Sequence, residues 1–420
     1  MIGTSFTRRC CRKFVFAELD KAVVIAIRFT TALTRTHGTY SLDVPVTQTR
    51  DGSNFRKTAA TFQPGAKTLL QRHFVSPEIF AEEVQKIFAT NWVLVGHQSQ
   101  LAKPSDYFLA EVADESFIIA KDQRSTIRAF YNVCRHRGAR LCEEQNGHAG
   151  AIQCAYHAWT YALDGRLIGA PHMEETQGFN KADYPLKPAR LGLWEGFIFL
   201  NLTDASASLE KWFEPLGGKF SPWNLAALRS AKRIDYEVQA NWKLIFQNYS
   251  ECYHCLGVHP ELSKISPYDS AENDLTEGPF LGGFMRIAND KSLTKSGNAC
   301  ALAVGNFGDQ DFRFVFYYSI FPNMLLSLHP DYVMVHQLQP QSRERTVIYC
   351  DWLFHPEAFK RTDFDPDDAV EFWDMVNKQD WHVCELSQQG ISSRAYEPGP
   401  YSARESIPAA WDREYLRHLR

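Results

Sequence analysis

A chain of 420 residues is long enough for two domains of ordinary size plus extra segments. Its residues are 45% hydrophobic and 22% charged, the balance of a soluble globular protein, and a net charge of −4 gives no reason to expect nucleic acid or an anionic membrane as partner. The longest early apolar run, residues 22–27, falls far short of the ~18 residues of a membrane span.

Up to Tyr40 the chain is rich in Arg, Lys and Thr, with Glu18 and Asp20 its only acids. Residues 14–34 have the pattern of a basic amphipathic helix, as in an organellar presequence, but a disordered tail or a mis-started translation has the same look and is the favoured reading. Residues 51–67 are polar and turn-rich, the mark of a linker. Residues 1–65 are therefore read as an N-terminal extension of a cytoplasmic protein. Ten Cys without a secretory signal argue against a disulfide framework and for reduced thiols.

From residue 69 to 90 apolar positions recur at helical spacing (Leu70, Phe74, Ile79, Phe80, Val84, Ile87, Phe88), with Pro77 as a helix starter. This segment, 66–91, is expected to be a helical lead-in packed on a catalytic domain. Residues 92–202 read as short strands (92–95, 107–112, 116–121 and 127–131), and Asp164-Gly165 is a hairpin signal. A connecting stretch covers 209–228 and a strand 232–239. A helix is predicted over 242–259, closed by Pro260, followed by strands at 312–320, 324–328, 332–338 and 346–354. A last helix, about 367–389, carries Val370, Phe372, Trp373, Val376 and Trp381. The expected class is α+β: an all-β unit over 92–203, then an α+β domain with an antiparallel sheet over 204–420.

Two groups of residues carry chemistry. The first is Cys134-Arg-His136, then 17 residues, then Cys154-Ala-Tyr-His157. Thiolates with imidazoles suit zinc or an iron–sulfur cluster. Here each short pair mixes one Cys with one His. That is the arrangement of a [2Fe–2S] centre in which two Cys hold one iron and two His the other, whereas a zinc finger more often pairs Cys with Cys. Arg135, Arg137 and Arg140 add positive charge nearby, either solvated or offsetting the cluster. The second is Glu251-Cys-Tyr-His254-Cys-Leu-Gly-Val-His259. Two His beside a bend, with a carboxylate from further along the chain, make the facial triad of non-haem Fe(II) oxygenases. A lone His-x4-His pair is weak evidence, and Cys252 with Cys255 reads as two small packed residues.

Residues 132–138 (Asn-Val-Cys-Arg-His-Arg-Gly), 153–165, 241–243 (Asn-Trp-Lys), 248–260 and 377–390 together resemble Rieske non-haem iron oxygenases. The nearest resemblance is to enzymes acting on glycine betaine, carnitine, choline and proline betaine. It spans roughly residues 66–419 and omits the extension. The resemblance implies a Rieske domain followed by a helix-grip catalytic domain of the START-like kind. It implies that Cys134, His136, Cys154 and His157 hold a [2Fe–2S] cluster. His254, His259 and Asp380 would hold a mononuclear Fe(II), with Asp374 and Glu385 as competing acids. Glu251, which is Asp in most of the family, would bridge His157 of one subunit to His254 of the next in a homotrimer. No dinucleotide fingerprint or plant-type ferredoxin spacing appears. Electrons from NAD(P)H would therefore arrive through a separate reductase, and O2 would hydroxylate the N-methyl group of a betaine-type substrate. Phe246, Tyr249, Phe316, Tyr317, Tyr318 and Trp352 are candidates for its cation–π recognition. Alternatives are ring hydroxylation of an aromatic compound by the same machinery, a Rieske electron carrier, or a zinc-binding interaction protein.

Overall fold

Residues 55–288, 291–305 and 313–420 are described by a computed structural model, and the basic helix expected over 14–34 lies outside them. The stretch read as a linker is partly built into the fold. Phe55 is buried against Phe284, with ring centroids 4.8 Å apart. After it, β1 (Arg56–Lys57) pairs antiparallel with residues 272–273 as an edge strand. Composition misses this because an edge strand is held by backbone hydrogen bonds, which polar residues make as well as apolar ones.

Two helices follow, α1 (Arg72–Val75) and α2 (Pro77–Glu83). Ser76 caps α2 by accepting from Ile79 N at 3.1 Å, and Pro77 occupies the first turn, where a missing N–H is harmless. Next come β2 (Val93–His97), β3 (Asp106–Val112), β4 (Glu115–Lys121), β5 (Ile127–Tyr131), β6 (Asn146–His148), β7 (Ala151–Gln153), β8 (Thr160–Ala162), β9 (Leu167–Gly169), β10 (Arg190–Trp194) and β11 (Phe197–Asn201). They form small antiparallel sheets ordered β5-β4-β3-β6, β7-β8-β9 and β10-β11-β2. The predicted Asp164-Gly165 turn joins β8 to β9, with Gly165 at φ 92°, a conformation that side chains rarely adopt. Phe130, Ile152, Trp159, Tyr161 and Leu186 make a core of their own around Cys134 and Cys154.

The second part is one broad sheet. After α3 (Leu209–Trp212) come β12 (Arg229–Val238), α4 (Trp242–Tyr249), α5 (Cys255–Val258), α6 (Pro260–Ile265), β13 (Glu272–Leu275), β14 (Phe280–Arg286), β15 (Phe314–Ile320), β16 (Met324–Leu328), β17 (Val333–Ser342), β18 (Arg345–Phe354), α7 (Asp367–Ile391) and α8 (Ser406–Leu419). The strand order is β1-β13-β14-β15-β16-β17-β18-β12, with every pairing antiparallel. Alternation along β17 divides two apolar cores: Val333 and Val335 join one, while Met334 and Leu338 join the other, together with α4 and α7.

The Asn241-Trp242-Lys243 motif turns out to be an anchor. Asn241 caps α4, accepting from Lys243 N at 3.1 Å, and donates from Nδ2 to Arg343 O at 2.8 Å. Lys243 is fully buried, and a buried ammonium needs a partner. It donates to Glu83 at 2.5 Å, and Trp242 (2.8 Å) and Tyr415 (2.6 Å) donate to the same carboxylate. One acid thus ties α2, α4 and α8 together. Asn323 likewise joins the two parts of the chain, accepting from Leu94 N at 2.8 Å in β2 and donating to Leu338 O at 3.2 Å in β17.

Two sequence expectations need correction. The helix predicted over 242–259 stops at Tyr249 and resumes as α5 and α6. The Glu251 carboxylate accepts from the backbone N–H groups of Tyr253 and His254 (3.3 Å for the latter), so a side chain takes the place of the helix's own carbonyls and starts a new turn. In that break Cys252 and Cys255 form a disulfide, Cα–Cα 4.9 Å, rather than remaining packed thiols. Three-residue spacing across a turn brings the two sulfurs within bonding reach.

Candidate functional site

The two cysteine loops are copies of one hydrogen-bonded turn. Cys134 N donates to Ala139 O and Gly138 N returns to Cys134 O; Cys154 N donates to Trp159 O and Ala158 N returns to Cys154 O. These bonds are 2.8, 3.0, 2.8 and 3.0 Å in that order. The fifth residue of each turn is left-handed: Gly138 at φ 76° and Ala158 at φ 56°. The matched turns place both sulfurs and both imidazoles on one side. Burial, with the Cys134 thiol beside it, pushes the Cys154 thiol above its ordinary pKa. The rings of His136 and His157 are 4.6 Å apart, and His136 stacks on Trp159 at 4.8 Å. Tyr161 steadies the first loop, with its hydroxyl 3.4 Å from Cys134 Sγ and accepting from Arg135 N at 3.0 Å.

The second group forms where α7 passes the broken helix. His259 Nε2 is 2.8 Å and His254 Nε2 3.2 Å from Asp380 Oδ1. The opposite nitrogen of each ring is committed elsewhere. His254 Nδ1 donates to Glu251 Oε1 at 2.6 Å, and His259 Nδ1 donates to Gln379 Oε1 at 2.7 Å. With Nδ1 protonated, each neutral ring turns a bare Nε2 lone pair toward a carboxylate oxygen. Only a cation between them, proton or metal ion, reconciles that arrangement. Burial disfavours charge on His254, but hydrogen bonds to Asp380 and Glu251 outweigh it and raise its pKa to about 10. Burial would likewise raise the Asp380 carboxyl, but its bonds from His254 and His259 hold it below the ordinary value. Cys255 is also close to both His rings, but its sulfur is in the disulfide and is not a free thiolate.

A profile described as the Rieske [2Fe-2S] domain matches residues 91–180, and one described as the ring hydroxylating alpha subunit (catalytic domain) matches residues 225–420. The glycine betaine monooxygenase oxygenase subunit of Chromohalobacter salexigens is 30% identical over 400 residues, covering 87% of each chain. The chain belongs to the Rieske oxygenases. Among solved structures, the quaternary ammonium Rieske monooxygenase CntA in complex with L-carnitine matches this Rieske oxygenase with a TM-score of 0.71 at 26% identity. That match covers 86% of this chain and 98% of the other. Another structure of a quaternary ammonium Rieske monooxygenase, whose description includes inter-subunit electron transfer, matches at 0.74 and 25% identity over 90% and 100%.

The resident groups of a Rieske oxygenase are a [2Fe–2S] cluster and a mononuclear non-haem iron, and the donors in this chain fit both. In the β unit, two thiols and two imidazoles converge, and the buried His136 Nδ1 has no hydrogen-bond partner among the described residues. In the sheet domain, the Nε2 atoms of His254 and His259 each lie within 3.2 Å of one carboxylate oxygen of Asp380. The competing acids are engaged elsewhere: Asp374 accepts from Tyr236 and pairs with Lys378, and Glu385 accepts from Gln239 N. Gln379 was not singled out from sequence. The signal lay beside Asp380, because an imidazole that binds a metal needs an acceptor for its other nitrogen.

Beside these residues opens a cavity. Tyr249 and Tyr317, two of the six aromatics singled out from sequence, line it, as do Phe284, Trp373 and Trp381. Phe246 and Trp352 are buried core residues, and Phe316 and Tyr318 pack in the other apolar cluster. Gly282 and Gly283 also line the cavity, and a Cβ at either would lie 2.0 Å from a backbone carbonyl of the neighbouring strand, Tyr317 O and Glu272 O respectively. Among the described residues, no helix is long and apolar enough to cross a membrane.

Proposed function

We propose that this Rieske oxygenase hydroxylates an N-methyl group of a quaternary ammonium compound in the cytoplasm, as the oxygenase component of a system with a separate NAD(P)H reductase. One observation carries the reading: the Nε2 atoms of His254 and His259 share one oxygen of Asp380 at the floor of an aromatic-lined cavity. Cys134, His136, Cys154 and His157 hold the cluster, and His254, His259 and Asp380 hold the iron. When bound, the cluster supplies single electrons and the iron supplies the site at which O2 is activated. Glu251 and Gln379 fix the two iron-side imidazoles in the tautomer that leaves Nε2 free. Gln379 is a positioning residue, and Glu251 has a second task.

That task is to carry electrons between subunits of a homotrimer, from His157 of one protomer to His254 of the next. Exposure supports it. Tyr156 beside His157 is 56% exposed, and Tyr253 and Leu256 beside Glu251 are 55% and 62% exposed. Large apolar side chains left open at both ends of such a bridge suit a surface that a neighbouring protomer covers.

A quaternary ammonium ion has no N–H to donate, so the faces of Tyr249, Tyr317, Phe284 and Trp373 hold it by cation–π attraction. The carboxylates of Glu251 and Asp380 favour a cation in the same space. Hydroxylation of the methyl carbon uses O2, two electrons and two protons and releases water. The product is a hemiaminal, which separates into formaldehyde and a tertiary amine. Incubating the iron-loaded protein with a generic reductase, NADH and a panel of quaternary amines should yield formaldehyde in step with NADH consumed. Formaldehyde from none of them, with turnover of an aromatic hydrocarbon instead, would select the ring-hydroxylating reading.

A further inference from the structure

We propose that the cavity selects a quaternary ammonium alcohol, whose hydroxyl donates a hydrogen bond to His336 Nδ1. The proposal rests on the function proposed above and narrows its substrate class. His336 plays no part in holding either metal, yet it lines the cavity from β17 and is 1% exposed.

A chain of hydrogen bonds fixes the tautomer of His336. Tyr236 Oη donates to Asp374 Oδ1 at 2.9 Å, so its oxygen accepts from Asn377 Nδ2 at 3.4 Å. The Asn377 amide is thereby turned with its carbonyl oxygen toward His336. His336 Nε2, 3.2 Å from Asn377 Oδ1, must be the donor. Nδ1 is then a bare acceptor, and it has no partner among the described residues. Burial keeps the ring neutral, lowering its pKa to about 4 against smaller opposing contributions from Asn377 and Asp380. A buried acceptor without a partner costs about 1–3 kcal/mol, so a ligand that supplies a donor gains where one without it does not.

Trp381 supplies the complement. It also lines the cavity, its ring is 5.9 Å from that of His336, and its buried Nε1 donor has no partner among the described residues. A hydroxyl carries both the donor that Nδ1 lacks and the acceptor that Nε1 lacks. A carboxylate can only accept, and it would turn negative charge toward the lone pair of Nδ1. The charge inventory points the same way. Among the described residues lining the cavity, the carboxylates are Glu251 and Asp380, and none is Lys or Arg. Neither Lys nor Arg is there to pair with a buried carboxylate on the substrate.

The test compares three ligands on the holoenzyme: choline, glycine betaine and propyltrimethylammonium. The last replaces the choline hydroxyl with a methyl group at nearly the same volume. KM for reductase-coupled NADH consumption should be lowest for choline, by roughly tenfold over each of the others, the size of one hydrogen bond gained or lost. His336→Leu should raise the KM for choline to that of propyltrimethylammonium and leave the latter unchanged, and His336→Gln, which keeps an acceptor, should restore part of the difference. The comparison on the unaltered protein stands even if the variants fold poorly. Preference for glycine betaine, or equal handling of choline and its propyl analogue, overturns the proposal while leaving quaternary ammonium chemistry intact. Failure of every quaternary amine to bind or turn over removes both.

Discussion

The two sites are assembled in opposite ways. In the β unit, one five-residue turn is used twice, and each copy carries its own Cys and His. In the sheet domain, His259 and Asp380 are 121 positions apart and meet only because α7 packs beside the broken helix. The first kind of site is written into local backbone geometry. The second depends on tertiary packing, and a change to one side chain can disturb it without unfolding anything.

The largest expected effect separates the two. Asp380→Ala should abolish turnover and mononuclear iron binding while the visible absorption of the cluster stays unchanged; iron retained at full stoichiometry would show that another acid holds it. Glu251→Gln should keep both metals and slow electron delivery. Single-turnover kinetics at the normal rate would mean that Glu251 merely orients His254. Gln379→Leu removes the acceptor from His259 Nδ1 and should weaken iron binding by roughly 10–100-fold, readable by chelator competition. A smaller change sharpens the cluster side. Tyr161→Phe loses the contacts to Cys134 Sγ and Arg135 N and should lower the stability of the β unit by about 1 kcal/mol in denaturant titration. Of similar size, the effects at the fifth residues of the paired turns should have opposite signs. Gly138→Ala should destabilise by about 1 kcal/mol and Ala158→Gly should stabilise by a similar or smaller amount, because both positions are left-handed and only one is a glycine. Equal signs would mean that the turns are not equivalent.

How much was legible follows the same division. The Cys and His pairs were readable because their loops are local. The last helix was readable over 367–389 because its apolar spacing persists, and it ends two residues later at Ile391. The break after Tyr249 was not, because the Glu251 carboxylate captures backbone N–H groups in a stretch whose composition still suits a helix. The edge strand at Arg56–Lys57 and the Cys252–Cys255 disulfide were missed for a related reason. Each depends on where the chain is carried and not on what its residues prefer. Asp380 stood among three acids on one helix, and only the packing of α7 separated it from Asp374 and Glu385.

Asn377, Gln379 and Asp380 all lie within one turn of α7. Each helical residue advances the chain by about 100° and 1.5 Å. Deleting a single residue between Pro366 and Asn377 would swing all three groups away together, disconnecting the imidazole on β17 and both imidazoles of the broken helix at one stroke. Substitutions can therefore retune what the cavity accepts independently of what holds the ion, but changes of length cannot. In lineages that share this architecture, the interval from the start of α7 to Asp380 should tolerate exchange of side chains far better than insertion or loss.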